Sequence, residues 1–551
     1  MALQVRKKKL LICIPLVLSA FTHLWNPIGF PSIHVDEGHY IRRAVQVLEG
    51  VGHQEMASSL NEHRSYDHPY FGQIFMALLF KLVGYPPPLD STGTLLSTIE
   101  VLYMVPRILV GLLAVLDTFL VYKIAERRYN TNVAIIASIL FAVMPMTWLL
   151  RRVLLESILL PFILASLLLA VNYNSIKKTN RANKRNDSLI VLSGIFMGLA
   201  IFTKIPSIFA IPLMVYMVVR SNNKKKWKHL GMWFIPVVLI PAIWPIYATF
   251  YGQFDEWLEG IGWQTSRIER GLFNPSESFF EIDPVLVGLG MVGVVYGVIK
   301  KDIFFILWVL PYILLLAFLG FSQYIHMVVL FPVFCLSAAN LIYAISEKLS
   351  RRAVIRKTAS RSYTVYAQIT DFFGLQSPQK ANPPLPNTKF TSISFFIISR
   401  AQFLMIFAIG SFGLVSTTLL ISTDVNSSFY AAYASLTNHL PSKPSDNSED
   451  GDEGSKVTVI GPRRWGIFYF WIPKYVFNKD LDFFDYKDIG VPEGNLITIQ
   501  EGAPGSLPQG LETHVLLAKV KNMAREYDFQ IYPFNNMKYN QIPSSDVRAN
   551  Y

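Results

Sequence analysis

The residues best suited to chemistry stand close together near the start of the chain. His34-Val35-Asp36-Glu37-Gly38-His39-Tyr40 comes first, and Asp67-His68-Pro69 follows. A carboxylate pair beside aromatic side chains can supply a general base that removes a hydroxyl proton. The competing reading is a solvated loop with ordinary charges. Further on, Arg151-Arg152 precede Glu156, and Lys204 closes the stretch Gly198 to Lys204. Arginines hold phosphate or carboxylate through paired, charge-assisted bonds, so Arg151 is a candidate anion ligand. The alternative is a local ion pair between Arg152 and Glu156 at helical i,i+4 spacing. Lys204 could also face a phosphate, or simply reach the membrane interface by snorkelling. His34, Asp36, Glu37, His39, Asp67 and His68 are neighbours in sequence. No His-Glu-x-x-His pattern accompanies them, which gives zinc hydrolase chemistry little support.

The elements that must position these groups are membrane spans. Of 551 residues, 52% are hydrophobic and only 16% charged, whereas soluble proteins carry about 25% charged residues. The charges collect between long apolar runs, each near the ~20 residues that cross a bilayer. About eleven such runs are expected from the ~20-residue criterion. They centre on 10–25, 105–124, 131–149, 157–173, 189–204, 206–220, 230–249, 285–299, 303–320, 327–345 and 400–421. The stretch Phe71 to Val83 is too short to cross and should lie along the interface or re-enter. The net charge of +12 does not indicate nucleic acid, because the basic residues sit in short clusters between spans and no nucleic-acid motif occurs. Cys13 and Cys335, both in apolar runs, offer neither a disulfide framework nor a zinc quartet. The first run follows Arg6-Lys7-Lys8-Lys9 and lacks a small-residue cleavage site, so it reads as a retained span.

Loop charge sets the orientation. With the N-terminus inside, Arg127-Arg128, Lys177-Lys178, Lys224-Lys225-Lys226, Lys300-Lys301 and the Lys348 to Lys357 cluster all fall on the inner side. The outer segments are then 26–104, a turn near 150–156, 250–284, 321–326 and everything after about 422. Loop 346–399 is expected to be cytoplasmic and flexible. Residues 1–421 form the membrane domain and 422–455 a linker. Residues 456–551 read as a small extracytoplasmic α/β domain, with strands at 457–461, 495–499 and 529–532 and a helix over Leu511 to Glu526. Asn426-Ser427-Ser428 is a sequon that an outward tail could present for glycosylation.

The ordered pieces resemble a family. Val35-Asp36-Glu37-Gly38-His39-Tyr40 and Asp67-His68-Pro69 with Gly72 are similar to the first outer loop of protein O-mannosyltransferases. Arg151 through Ser157 resembles that family's Arg-Tyr-Ile-Leu-Leu-Asp-Ser segment, and Gly198 to Lys204 its Gly-Leu-Ala-x-x-Thr-Lys stretch. The wider relatives are the GT-C glycosyltransferases, including enzymes that transfer aminoarabinose to lipid A. The resemblance implies a polytopic α-helical GT-C fold and a polyprenyl (dolichyl) phosphate sugar donor bound among the helices. It assigns the catalytic carboxylate to Asp36, beside Glu37. It also places Arg151, Glu156, His39, Asp67, His68 and Lys204 at the donor phosphate or substrate. A divalent metal ion held by Asp36 and Glu156 is one option, since some relatives use one; arginines neutralising the phosphate are the other. Pro69-Tyr70-Phe71 replaces the family's Pro-Pro-Leu, and segment 250–284 is too short for the repeat domain of the eukaryotic members.

These features predict an inverting transferase that moves a hexose, mannose by resemblance, to an acceptor hydroxyl on a protein, glycan or lipid. It would act at the outer or lumenal face of a cell membrane. The rival is a lipid or sugar transporter or flippase. Transporters place ionisable groups near the midplane and often show repeated halves, whereas here the charges gather at one face.

Overall fold

The computed structural model describes residues 11–50, 66–86, 95–175, 180–221, 225–265, 280–319, 323–348 and 401–427. It also describes parts of 430–440 and 472–485 and the strands of the tail. The helices are α1 (Cys13–Leu24), α2 (Val35–Glu49), α3 (Phe71–Val83), α4 (Leu95–Arg128), α5 (Thr131–Val143), α6 (Leu155–Ser175) and α7 (Asn180–Thr203). They continue with α8 (Ile211–Val219), α9 (Lys226–Phe250), α10 (Phe254–Thr265), α11 (Pro284–Ile299) and α12 (Phe304–Leu319). Last come α13 (Tyr324–Lys348) and α14 (Ala401–Ile421). The chain is thus a polytopic helical membrane protein. Six helices of the described residues are long and apolar enough to cross a bilayer, or up to eight when each of two bent pairs counts as one span. α1, α3 and the Ile205–Val219 segment are shorter apolar helices. The expected eleven therefore exceeds the number that meets the length criterion.

Helix–helix contact in a membrane relies on close packing. α7 lies against both α6 and α9. A Cβ on Gly194 or Gly198 would stand 2.5 Å from the Trp233 carbonyl oxygen or 2.6 Å from that of Pro236. Those two glycines let α7 and α9 touch backbone to backbone. Ser166, Ser193 and the Trp233 indole form a buried hydrogen-bonded chain across the same helices.

Three interruptions matter for function. α5 gives way to a 3-10 turn over Pro145–Arg151, bent by 66° from it, and residues 152–154 are non-helical before α6 begins. α7 stops at Thr203. Lys204 is extended (φ −155°, ψ 121°), and a 3-10 turn over Ile205–Ala210 begins with Pro206 near its start. A proline there removes a backbone donor and favours a break. The third interruption is the 3-10 start of α13 over Tyr324–Leu330.

Beyond α14, residues 422–426 are bound to the first outer loop instead of hanging free as the start of a linker. Asn426 is 2% exposed and donates to the carbonyls of Ile28 and Pro31 at 2.7 and 2.8 Å, while accepting from Ile33 N–H at 3.0 Å. The sequon side chain is therefore consumed by the fold, against the expectation that it could carry a glycan. The tail contains a five-stranded mixed sheet, β1 (Val457–Gly461), β2 (Leu481–Asp485), β3 (Asn495–Gly502), β4 (Ala518–Lys521) and β5 (Asp528–Asn535), in the order β2-β1-β3-β5-β4. The helix expected over Leu511 to Glu526 is contradicted at Ala518–Lys521, which pairs antiparallel with β5. Strand partners override local propensity there. The rest of that stretch and the loop 349–400 lie outside the described residues.

Candidate active site

The first turn of α2 is built around His34. Its backbone is extended and its ring Nδ1 accepts from the Asp36 N–H at 3.3 Å. Three residues on, the Glu37 carboxylate accepts from the His34 N–H at 2.9 Å, which completes a capping box. Asp36 and Glu37 consequently point to different places. Asp36 lines a cavity, with about a third of its side chain exposed to it (32%). Burial pushes its carboxyl above the usual aspartate range, with Glu156 and Asp67 adding to the effect and His34 and Lys204 opposing it. Glu37 is fully buried away from the cavity and takes a two-bonded grip from Arg107 at 2.8 and 2.9 Å. Burial works to raise Glu37, but Arg107 outweighs it and holds the carboxyl below its ordinary value. The second member of the acidic pair is thus structural in its contacts, contrary to its expected catalytic place.

Asp67 and His68 enter from the segment before α3, and both line the cavity. Asp67 accepts from Arg43 at 2.6 Å, and its Oδ2 stands 3.7 Å from His39 Nε2. Burial would raise Asp67, yet Arg43 and the two histidines hold it well below the carboxylate range. Burial, helped by Arg43, lowers His39 to about 3. Burial likewise lowers His68 to about 4. His39 touches Asp67 from behind and does not line the cavity. Gln264 of α10 donates to the Asp67 carbonyl at 2.9 Å and closes that side. The fit is tight, because a Cβ on Gly260 would stand 2.4 Å from the Tyr66 carbonyl oxygen.

Glu156, in the first turn of α6, accepts from Lys204 Nζ at 2.5 Å, and His326 Nε2 lies 3.9 Å from the same oxygen. The α7 break is what brings Lys204 here. A lysine within a continuous helix would have pointed elsewhere around the turn. The Arg152–Glu156 pair expected from helical spacing does not form, since residues 152–154 are not helical. Arg152 donates instead to Tyr324 Oη at 2.5 Å and to Ser32 at 3.0 Å. Arg151 is 1% exposed and donates to the Trp25 and Asn26 carbonyls. It fastens the end of α1 and does not line the cavity, which corrects its expected place at the donor phosphate.

The cavity holds about 410 Å³. One end is polar, formed by Asp36, Asp67, His68, Glu156, Lys204 and His326. The other is an apolar wall that includes Leu159, Ile208, Phe209, Leu315 and Phe318. Ile208 and Phe318 also face outward, 39% and 85% exposed, so this wall reaches the lipid-facing surface. Trp244, Tyr312 and Gln264 also line the cavity and were not legible as site residues. A divalent ion does not fit these residues well. No group of three or more candidate ligands occurs among the described residues, and Glu156 already carries the Lys204 ammonium.

Residues 39–257 match the family model described as dolichyl-phosphate-mannose-protein mannosyltransferase. Over those residues the chain is similar to that mannosyltransferase family. The fold is similar to that of several solved structures. ArnT from Cupriavidus metallidurans in the apo state aligns at TM-score 0.57 and 11% identity, covering 97% of this chain and 98% of that one. ArnT bound to undecaprenyl phosphate aligns at 0.55 and 13% identity, covering 95% and 97%. The apo oligosaccharyltransferase of Archaeoglobus fulgidus aligns at 0.53 and 13%, covering 86% of this chain and 64% of that one. No curated protein matches the chain in sequence.

Proposed function

We propose that this enzyme transfers a hexose, mannose in the first instance, from a polyprenyl phosphate to an acceptor hydroxyl on the outer or lumenal face of a cell membrane. The observation that carries the reading is the two-ended cavity. A buried carboxylate and an ammonium share its polar end, and its apolar wall reaches lipid-facing Ile208 and Phe318. A polyprenyl-phosphate sugar has the same two ends. His34, Asp36, Asp67, His68, Glu156, Gln264, Gln323 and His326 of the lining come from segments that the loop-charge rule assigns to the outer side.

Asp36 takes the proton of the acceptor hydroxyl as its oxygen attacks the anomeric carbon. The bond between that carbon and the phosphate oxygen breaks, and the electron pair leaves with the lipid phosphate. Lys204, joined by His326, stabilises the departing charge in a site of low water content. Its ammonium has three donors, so it can serve the phosphate while keeping one bond to Glu156. Attack opposite the leaving group inverts the configuration. Mannose is favoured because the family model that matches is of mannosyltransferases. The acceptor is a hydroxyl-bearing protein, glycan or lipid. No step requires a metal ion.

The test supplies purified protein in lipid nanodiscs with polyprenyl phosphates carrying mannose, glucose or aminoarabinose, together with a membrane extract as acceptor. Mannose transfer with release of lipid phosphate and an inverted linkage by NMR is expected. Transfer of another sugar in preference to mannose would overturn the sugar assignment, and a retained linkage would overturn the mechanism.

A further inference from the structure

Glu37 uses both of its oxygens fully. Oε1 accepts from the His34 N–H at 2.9 Å and Arg107 Nη2 at 2.8 Å. Oε2 accepts from Arg107 Nε at 2.9 Å and the Val153 N–H at 3.2 Å. Those two N–H groups belong to the segments that deliver Asp36 and Glu156 to the cavity. His34 caps the turn that carries Asp36, and Val153 lies three residues before Glu156. Arg107 adds a third anchorage, donating from Nη1 to the carbonyls of Pro27 and Pro31 at 2.9 and 3.0 Å. Glu37 and Arg107 are 0% and 1% exposed, so water cannot replace these bonds.

We propose that Glu37 and Arg107 are a positioning pair that fixes the spacing between Asp36 and Glu156 across the cavity. The proposal rests on the functional reading above. Neither residue touches substrate. The pair binds α4 to the start of α2 and to the entry of α6, and it is the described ion pair that ties both segments to one charge. An amide at position 37 would turn an NH₂ group towards donors only, so at least one of the two backbone segments would be released. A shift of about 1 Å in a catalytic group can cost on the order of 10²-fold in rate.

The experiment uses full-length protein in nanodiscs with whichever polyprenyl-phosphate sugar the wild type turns over. Glu37→Gln is expected to lower kcat by roughly 100-fold, while donor KM and affinity for polyprenyl phosphate alone stay within about threefold. Arg107→Lys keeps the charge but loses the planar fork, and should lower kcat by about tenfold or more with the same unchanged affinity. Glu126→Gln, at the surface pair with Lys123, should keep wild-type turnover. Kcat within threefold of wild type in both variants overturns the proposal. So does a fall of turnover and lipid-phosphate affinity together with the folded fraction, or a failure of both variants to fold, since the pair would then be only a stability device. A wild type without turnover overturns the functional reading and this proposal with it. A wild type with turnover beside fully active variants overturns the pair's role alone.

Discussion

Lys204 separates a donor-binding site from a structural salt bridge, because its two roles respond differently to a double substitution. Lys204 and Glu156 meet at 2.5 Å with side chains only 11% and 4% exposed. Lys204→Met strands the Glu156 carboxylate, and breaking a buried pair from one side costs about 3–5 kcal/mol. Adding Glu156→Gln removes the stranded charge, and neutral replacement of a buried pair is often close to neutral in stability. The double variant should therefore recover most of the lost stability. It should not recover donor binding. A charge-assisted bond to the phosphate contributes about 1.5–3 kcal/mol, which is roughly a 10- to 150-fold loss of affinity at about 1.4 kcal/mol per decade. Thermal unfolding in nanodiscs reads the first quantity, and titration with polyprenyl phosphate reads the second. Recovery of both stability and affinity in the double variant would reduce Lys204 to a counter-ion of Glu156 and refute its place at the phosphate.

Three further outcomes are expected. Asp36→Asn should lower kcat by about 10²–10⁴-fold; because burial raises the Asp36 carboxyl and the base must be ionised, the acid limb of the wild-type kcat profile should lie above the ordinary aspartate value of about 3.9, and a limb at or below that value would contradict the assignment. Arg151→Lys should leave donor KM unchanged, since Arg151 bonds to the Trp25 and Asn26 carbonyls and not to the cavity, while unfolding shifts by about 1–3 kcal/mol for the lost buried bonds; a selective rise in donor KM would return Arg151 to the site. In a glycosylating host no glycan should appear at Asn426 by mass spectrometry, and Asn426→Ala should lower the melting temperature, since it loses bonds to Ile28, Ile33 and Pro31.

Hydropathy was enough to place the helices in the chain, because the cost of putting charge in hydrocarbon is large. It was not enough to count spans, since Lys204 interrupts one apolar run and α11 and α12 meet at a 120° bend. The chemistry was legible as a set: Asp36, Asp67, His68, Glu156 and Lys204 converge on one cavity although Lys204 lies 48 residues from Glu156. What sequence spacing could not give was direction. Which of two adjacent carboxylates faces the cavity depends on Arg107, 70 residues away. One signal was present, a glutamate three residues after a residue able to cap a helix, and the capping-box rule points to Glu37 as the inward, structural member. The Arg152–Glu156 pairing misled because the i,i+4 argument assumes a helix that starts only at Leu155. The helix expected over 511–526 failed at Ala518–Lys521 for a similar reason: a long-range strand partner decides the conformation.

The most direct test of the central claim is a structure of the protein with a polyprenyl phosphate bound. The account predicts a phosphate oxygen at about 2.7–2.9 Å from Lys204 Nζ, the distance of a charge-assisted bond. Asp36 should face the vacant sugar position, and the first isoprene units should run along Leu315 and Phe318 towards the lipid. A phosphate held by Arg151, or anywhere outside the cavity between Asp36 and Lys204, would contradict it.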